Sequence, residues 1–222
     1  MELTTLNTVS HFNESTSQDI LKSVNDDGIN LAIWKRSIDL RCDKILERML
    51  CSDEVTFIDT KPNLKEDIFQ SLGESIGYEL SPSVLAQDIW TLHQLFCQIT
   101  SQDYARVRLY RIEDDMCQLF HADSLQMRML CTYVGRGTEW VENHNARYDQ
   151  LGSQGRTKEE TNAAIVINSH EIHTMQPWHV GVFTGRKKRG ISPLIHRSPS
   201  VLNKRDHRIF LCIDDPDACG CS

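Results

Sequence analysis

The spacing of apolar residues changes once along this 222-residue chain, at Ala105, and that change limits what it can fold into. Upstream, Val84, Leu85, Ile89, Leu92, Leu95, Phe96 and Ile99 recur at intervals of three and four. That is one wide face of a helix, entered at Ser81-Pro-Ser83, where Ser and Pro suit the first turn. His93 lies on or beside this face and reads as a packed core residue. Ile68, Leu72 and Ile76 predict a second helix, and Leu40, Ile45, Leu46 and Met49 predict another from about Ile38 to Met49, with a turn at Asp59-Thr-Lys-Pro62 between them. Downstream the period falls to about two. Val107, Leu109 and Ile112 alternate with Arg106, Arg108 and Tyr110, and Cys117–Phe120, Arg128–Val134, Ala163–Asn168, His179–Thr184, Ile191–Arg197 and Arg208–Asp214 continue as short strands between turns. Helices followed by seven or eight strands predict an α+β fold, with N-terminal helices packed on a C-terminal double-stranded β-helix, a jelly-roll or cupin-like barrel.

Four regions follow from this. Residues 1–28 are polar and expected to be loosely ordered, apart from a short helix at Ser17–Val24. Residues 29–104 form a helical support region, with Asn30–Lys35 extended and Trp34 anchoring it in the core. Residues 105–215 carry the barrel, and 216–222 a tail with Cys219 and Cys221. A formal net charge of -7 argues against general nucleic-acid affinity. No apolar run reaches the roughly 18 residues of a membrane span, and the N-terminus lacks the basic start and apolar core of a signal peptide. The expected location is therefore the cytoplasm, where the eight scattered cysteines read as buried reduced thiols.

The chemistry centres on His121-Ala-Asp123. Residues two apart in an extended chain share a face, so an imidazole and a carboxylate project together. They are two thirds of a 2-His-1-carboxylate facial triad, which leaves three positions of an iron ion open. His196, in Leu194-Ile-His-Arg-Ser-Pro199, is the expected third ligand. The bland reading of His-x-Asp is a hydrogen-bonded polar pair on a half-buried strand. Fe(II) is the expected ion, and Zn(II) or Mn(II) suits the same donors. A 2-oxoglutarate cosubstrate would need a cation for its far carboxylate, and the planar fork of Arg matches one best. Arg208, twelve residues after His196 and on one face with Phe210 and Cys212, is favoured over Arg205 in the Asn203-Lys-Arg-Asp206 turn. Tyr110, Thr132 and Tyr133 are candidate hydroxyl partners. Arg128 is expected to brace Asp123 or contact substrate, and Arg197 to sit on the opposite face from His196 in a surface salt bridge.

Weaker constellations are His170-Glu-Ile-His173 with His179, a loose zinc candidate, and Cys219-Gly-Cys221 with Cys212, which suits a soft metal or a frayed tail. Gly185-Arg-Lys-Lys-Arg-Gly190 reads as a solvated basic turn that could meet an anionic substrate. No nucleophile elbow, P-loop or dinucleotide fingerprint appears.

His121-Ala-Asp123, Arg128-Met-Leu-Cys-Thr-Tyr-Val-Gly-Arg-Gly-Thr-Glu-Trp140, His196-Arg-Ser-Pro199 and Arg208–Asp214 together resemble a largely bacterial family, domain of unknown function 1826, from about Asn30 to Asp214. The usual form has Pro where Arg136 stands, so that turn departs from the pattern. More distantly, the order His121, Asp123, His196, Arg208 resembles the prolyl-hydroxylase-like branch of the Fe(II)/2-oxoglutarate oxygenases. That resemblance implies oxidative hydroxylation or demethylation, with succinate and carbon dioxide as coproducts. The expected function is such a dioxygenase acting on a small molecule or a protein. The alternatives are a noncatalytic metal-binding or metal-homeostasis protein on the same barrel, or a cupin-like fold whose site has become structural.

Overall fold

Period-two alternation requires a sheet with two different faces, and strand Arg208–Asp214 shows both. Ile209, Leu211 and Ile213 are fully buried in one core, while Arg208, Phe210, Cys212 and Asp214 are buried against the other face. The computed structural model describes residues 10–52, 56–76, 83–112, 117–199 and 207–216.

In chain order the strands are β1 (Phe12–Ser15), β2 (Leu31–Trp34), β3 (Thr56–Thr60), β4 (Arg106–Ile112), β5 (Met127–Val134), β6 (Glu139–Val141), β7 (Ile172–Thr174), β8 (Val180–Thr184), β9 (Ile195–Arg197) and β10 (Arg208–Asp214). The helices are α1 (Asp43–Leu50), α2 (Lys65–Ile76), α3 (Ser83–Thr100) and α4 (Lys158–Ile165). Seven strands form one sheet in the order β1-β2-β8-β5-β10-β4-β3, antiparallel except for the β1–β2 pair. Three more form a small antiparallel sheet, β7-β6-β9. The result is a mixed α/β architecture dominated by antiparallel sheet.

The two faces of the large sheet have different company. On one, Leu46, Leu72, Ile89 and Phe96 from α1–α3 share a core with Leu109 and Leu211. On the other, Leu31, Leu130, Phe183 and Phe210 pack with Trp140 of the small sheet. The α3 face matches the sequence pattern: Leu85, Ile89, Leu92 and Phe96 are fully buried. His93 is buried with them, its Nε2 accepting the Ala105 N–H at 3.3 Å, which is the core role expected of it. Cys42, Cys97, Cys131 and Cys212 are buried free thiols. Among the described residues no helix is long and apolar enough to cross a membrane.

Several expectations are corrected. Within residues 1–28, β1 pairs with β2, and a 3₁₀ helix at Gln18–Asn25 buries Leu21 and Val24 completely. That segment is ordered by its two apolar side chains despite its polar composition. Residues 29–104 hold β2 within the Asn30–Lys35 stretch expected to be extended, and also β3, a strand of the large sheet that was not expected. Trp34 is half-buried near the sheet edge, packed against the core without being its centre. Asp59 and Thr60 end β3 rather than forming a turn. Ala163–Asn168 is not a strand: Ala163, Ala164 and Ile165 end α4, begun by a capping box between Thr157 and Glu160. The Thr-x-x-Glu signal was there to read, but the apolar run after it favoured a strand. Cys117–Phe120 makes no strand either; the chain joins the small sheet through a single bridge, His121 to His196. The 216–222 tail, with Cys219 and Cys221, lies outside the described residues beyond Pro216.

Leu21→Ala removes a fully buried side chain where composition alone predicts disorder. It should destabilise the protein by about 2–5 kcal/mol, read as a lowered Tm. A Tm unchanged within a degree would mean that this segment does not contribute to the core.

Candidate metal centre

The segment that carries His121 and Asp123 is pinned from three sides. Phe120 N–H donates to Asn162 Oδ1 on α4 at 2.8 Å, and Asn162 Nδ2 donates to the Gln118 carbonyl at 3.0 Å. His121 and His196 exchange both backbone hydrogen bonds, each 3.0 Å. After Asp123 the chain turns under the loop that follows β8, where Arg186 N–H donates to the Asp123 carbonyl at 2.8 Å and Lys187 N–H to that of Leu125 at 3.0 Å. Gly185 permits this approach, since a Cβ there would lie 2.3 Å from the Leu125 oxygen and 2.7 Å from that of Asp123.

The bridge sets the two imidazoles side by side, with ring centroids 4.5 Å apart. His121 Nδ1 lies 2.8 Å from the Leu119 carbonyl and His196 Nδ1 3.4 Å from that of Leu194. A carbonyl cannot donate, so each Nδ1 carries the proton and each Nε2 presents its lone pair. Those Nε2 atoms sit 3.5 Å and 3.6 Å from the Asp123 carboxylate oxygens. One donor atom from each of the three residues lies within 4.8 Å of the others, and among the described residues no other group of three does so. Burial pushes the His196 imidazole down to about 4, against the pull of Asp123, so it is neutral near pH 7.

Asp123 is 2 % exposed, and burial alone would favour its neutral form. The positive charge that His196 takes up at low pH and the Arg128 guanidinium outweigh that and hold the carboxyl well below the usual range. Arg128 Nη1 lies 2.8 Å from Oδ2 as an ion pair without hydrogen-bond alignment, and Oδ2 has no hydrogen-bond partner among the described residues. Two imidazole Nε2 atoms and a buried carboxylate with an unused lone pair are the donor set a divalent ion requires.

Arg128 is a brace. It also donates to Asp214 Oδ2 through Nε (3.1 Å) and Nη2 (2.7 Å), and Arg108 pairs with that same oxygen from the other side. Asp214 and Arg108 were not singled out in the sequence. Their signal was parity: both share a strand face with residues expected inside the barrel.

Arg208 faces the same cavity as the triad and is 4 % exposed. No carboxylate among the described residues pairs with it; Nη2 reaches Thr132 Oγ1 at 3.5 Å, and Nε has no partner. Burial lowers it to about 10, with Glu139 pulling the other way. Tyr110 lines the cavity wall, stacked on Phe210 at 5.1 Å. Tyr133 does not line it. Adjacent strand residues face opposite ways, so Thr132 meets Arg208 while the Tyr133 hydroxyl donates to Asp88 on α3 at 2.7 Å. Arg197 is partly buried rather than a surface cation: Nε donates to Glu139 Oε2 at 2.7 Å, and its guanidinium lies over the Phe120 ring. Arg205 lies outside the described residues. His170, His173 and His179 do not converge with Glu171; His173 and His144 instead flank Glu142. Lys188 of the basic turn is tied to the Val24 carbonyl at 2.9 Å.

A family model described as "Protein of unknown function (DUF1826)" matches residues 15–214. No curated protein matches the sequence. Among solved structures, the chain is similar to a putative oxygenase from Shewanella oneidensis at 11% identity, over 92% of this chain and 90% of that one, with a TM-score of 0.46. It is similar to a bsmA homolog from Methylobium petroleophilum PM1 at 18% identity, over 60% of this chain and 50% of that one, with a TM-score of 0.32. A third is the Fe(II)/(alpha)ketoglutarate-dependent dioxygenase TqaL, at 11% identity over 64% and 56% with a TM-score of 0.34. The chain thus spans half the length of the bsmA homolog. Scores at this level fall below that of a shared overall fold, so the chemistry has to be read from the side chains.

Titration of metal-free protein with Co(II), followed by visible absorption, should show one ion per chain. His196→Ala should weaken it at least about 10-fold, and Gly185→Ala, which pushes on Asp123 from behind, by roughly 10-fold as outer-shell changes do. Equal affinity in wild type and His196→Ala would rule out this cluster as the site.

Proposed function

The chain belongs to the DUF1826 family of proteins of unknown function, and on that footing we propose that it is a mononuclear nonheme Fe(II) oxygenase using 2-oxoglutarate. One observation carries this reading: a two-histidine, one-carboxylate cluster shares a cavity with a buried arginine that no carboxylate among the described residues pairs with. A buried guanidinium without a counter-ion costs several kcal/mol. An anionic ligand such as the far carboxylate of 2-oxoglutarate would offset that cost.

The path of the chain supports a double-stranded β-helix. From β4 it runs to the His121 bridge in the small sheet, to β5 in the large, to β6 and β7 in the small, then β8, β9 and β10 in alternation. The four large-sheet members stand in the order β8-β5-β10-β4, and facing them the small sheet runs β7-β6-β9 and then His121. In this reading the metal donors come from the small sheet and its bridge, and the anion-binding arginine from the large one.

The roles of the residues follow. His121, Asp123 and His196 would hold Fe(II) on one side and leave three positions open; Zn(II) or Mn(II) fits the same donors. Bound there with 2-oxoglutarate, the iron supplies oxidation by O₂: one oxygen enters a substrate C–H bond as hydroxyl, the other enters succinate, and carbon dioxide leaves. Hydroxylation of a methyl group on nitrogen or oxygen would give demethylation, because the hydroxymethyl product breaks its C–N or C–O bond and releases formaldehyde. Arg128 keeps Asp123 ionised and oriented. Arg208 takes the far carboxylate of the cosubstrate with Thr132 beside it, and Tyr110 and Phe210 form the apolar wall between. The buried free thiols suit a reducing compartment such as the cytoplasm.

Anaerobic addition of Fe(II) and then 2-oxoglutarate to metal-free protein should produce the weak visible charge-transfer band of the chelate. His121→Ala should abolish the band. Arg208→Met should weaken 2-oxoglutarate binding by roughly 10- to 100-fold, the worth of a charge-assisted pair. Tight metal binding with no band at saturating 2-oxoglutarate would overturn the cosubstrate and leave a metal-handling protein.

A further inference from the structure

The cavity holds a second guanidinium that its neighbours do not satisfy. Arg108 lines it and is 1 % exposed. Its Nη2 meets Asp214 Oδ2 and lies 3.5 Å from Cys212 Sγ, but Nε and Nη1 have no hydrogen-bond partner among the described residues. Asp214 cannot neutralise it fully, because the same carboxylate oxygen also accepts two hydrogen bonds from Arg128. Buried N–H groups left in this state carry a full desolvation penalty, which an anionic acceptor removes.

The charges around the cavity point the same way. Among the described residues four arginines line it, at positions 108, 128, 197 and 208. Against them stand three carboxylates: Asp123 in the wall, Asp214 behind Arg108 and Arg128, and Glu139 bonded to Arg197. One positive charge is in excess. A divalent ion adds two and 2-oxoglutarate removes two, so the excess remains after both have bound.

Position separates the two unsatisfied arginines. On the inner face of the large sheet Arg208 is level with Ile112, while Arg108 is level with Cys212, four residues or roughly 13 Å along the strands. Arg108 is joined through Asp214 and Arg128 to Asp123, so it stands at the metal end of the cavity. A cosubstrate reaching from the metal to Arg208 leaves Arg108 unengaged.

We propose that Arg108 is a substrate-recognition residue, and that the molecule oxidised is a small acid whose carboxylate it binds. That the cavity takes a carboxylate at Arg108 stands on the geometry alone; that this carboxylate belongs to the substrate rests on the oxygenase reading. Binding there places the acid's own carbon chain beside the three open metal positions and excludes neutral analogues of the same shape.

The test uses acetate as the probe and acetamide as its neutral control, titrated calorimetrically into Fe(II)-loaded protein under anaerobic conditions with saturating 2-oxoglutarate. Acetate should bind saturably, with Kd on the order of millimolar for so small a ligand, and acetamide should not. Arg108→Met should weaken acetate at least about 10-fold, as loss of a charge-assisted partner does, and should change 2-oxoglutarate affinity less than about two-fold. Arg208→Met should do the reverse. Asp214 keeps Arg128 as its partner in the first variant, so folding should survive. Arg108→Lys, which retains the charge, serves as the second variant and should keep most of the acetate affinity. Absence of saturable acetate binding in wild type would overturn the proposal, as would acetate affinity unchanged in Arg108→Met. Loss of 2-oxoglutarate binding in Arg108→Met would also overturn it, because Arg108 would then be the cosubstrate anchor. If wild type binds acetate through Arg108 but never binds 2-oxoglutarate, the oxygenase reading fails and the carboxylate site stands.

Discussion

An ionised carboxylate buried in the cavity wall is the constraint on which this structure depends. Asp123 is almost fully buried, and an isolated carboxylate there would take up a proton and lose its value as a donor. It stays charged because charges alternate behind it: Asp123 meets Arg128, Arg128 meets Asp214, and Asp214 meets Arg108. Each link lies on a different strand segment, so the chain of charges also ties the metal loop, β5, β10 and β4 together. A buried ion pair contributes little net stability compared with apolar packing. Its place here is better explained by the site it keeps ionised.

That arrangement is possible because the large sheet is buried on both faces. On β10 every residue is buried, with three apolar side chains in the helix-backed core, Arg208, Phe210 and Cys212 lining the cavity, and Asp214 behind Arg108 and Arg128. One strand thus serves as the main support of the fold and as the floor of the site. The helix side is dominated by apolar side chains, with His93 and the Tyr133–Asp88 pair among them, and its packing fixes the sheet in place. The cavity side can then carry guanidinium groups with unsatisfied N–H atoms, on Arg108 and Arg208, whose cost the core absorbs, as functional sites commonly do.

The candidate metal donors are held differently. His121 and His196 meet through two backbone hydrogen bonds of a one-residue bridge, and both protonated Nδ1 atoms are tied to carbonyls two residues back. Backbone, rather than long side chains, therefore aims both Nε2 lone pairs. Asp123 is aimed by the loop after β8, whose contact with it depends on Gly185 having no side chain. Little needs to move for an ion to be held, which is the preorganisation such sites require.

The sequence alone determined whatever is local or periodic. The change of spacing at Ala105 separated helices from strands, the α3 face was read almost residue by residue, and His121 and Asp123 share a face because two residues of extended chain bring them there. Parity also put Arg208 inside with Phe210 and Cys212, and a stricter use of it would have excluded Tyr133 once Thr132 was placed. Family membership was likewise legible, in strings such as Thr132-Tyr-Val-Gly-Arg-Gly-Thr-Glu-Trp140. Only the tertiary structure decided which distant elements meet: His196 beside His121, 75 positions away, and Arg108 and Arg128 on the two sides of Asp214. Residues 10–28 and the Ala163–Ile165 segment depart from the sequence reading for a related reason, because burial of Leu21 and the Thr157 cap outweighed composition. The physical reason is that periodicity reports which way a side chain points from its own backbone. What it points at depends on strand register and sheet packing, and those are set by the whole chain at once.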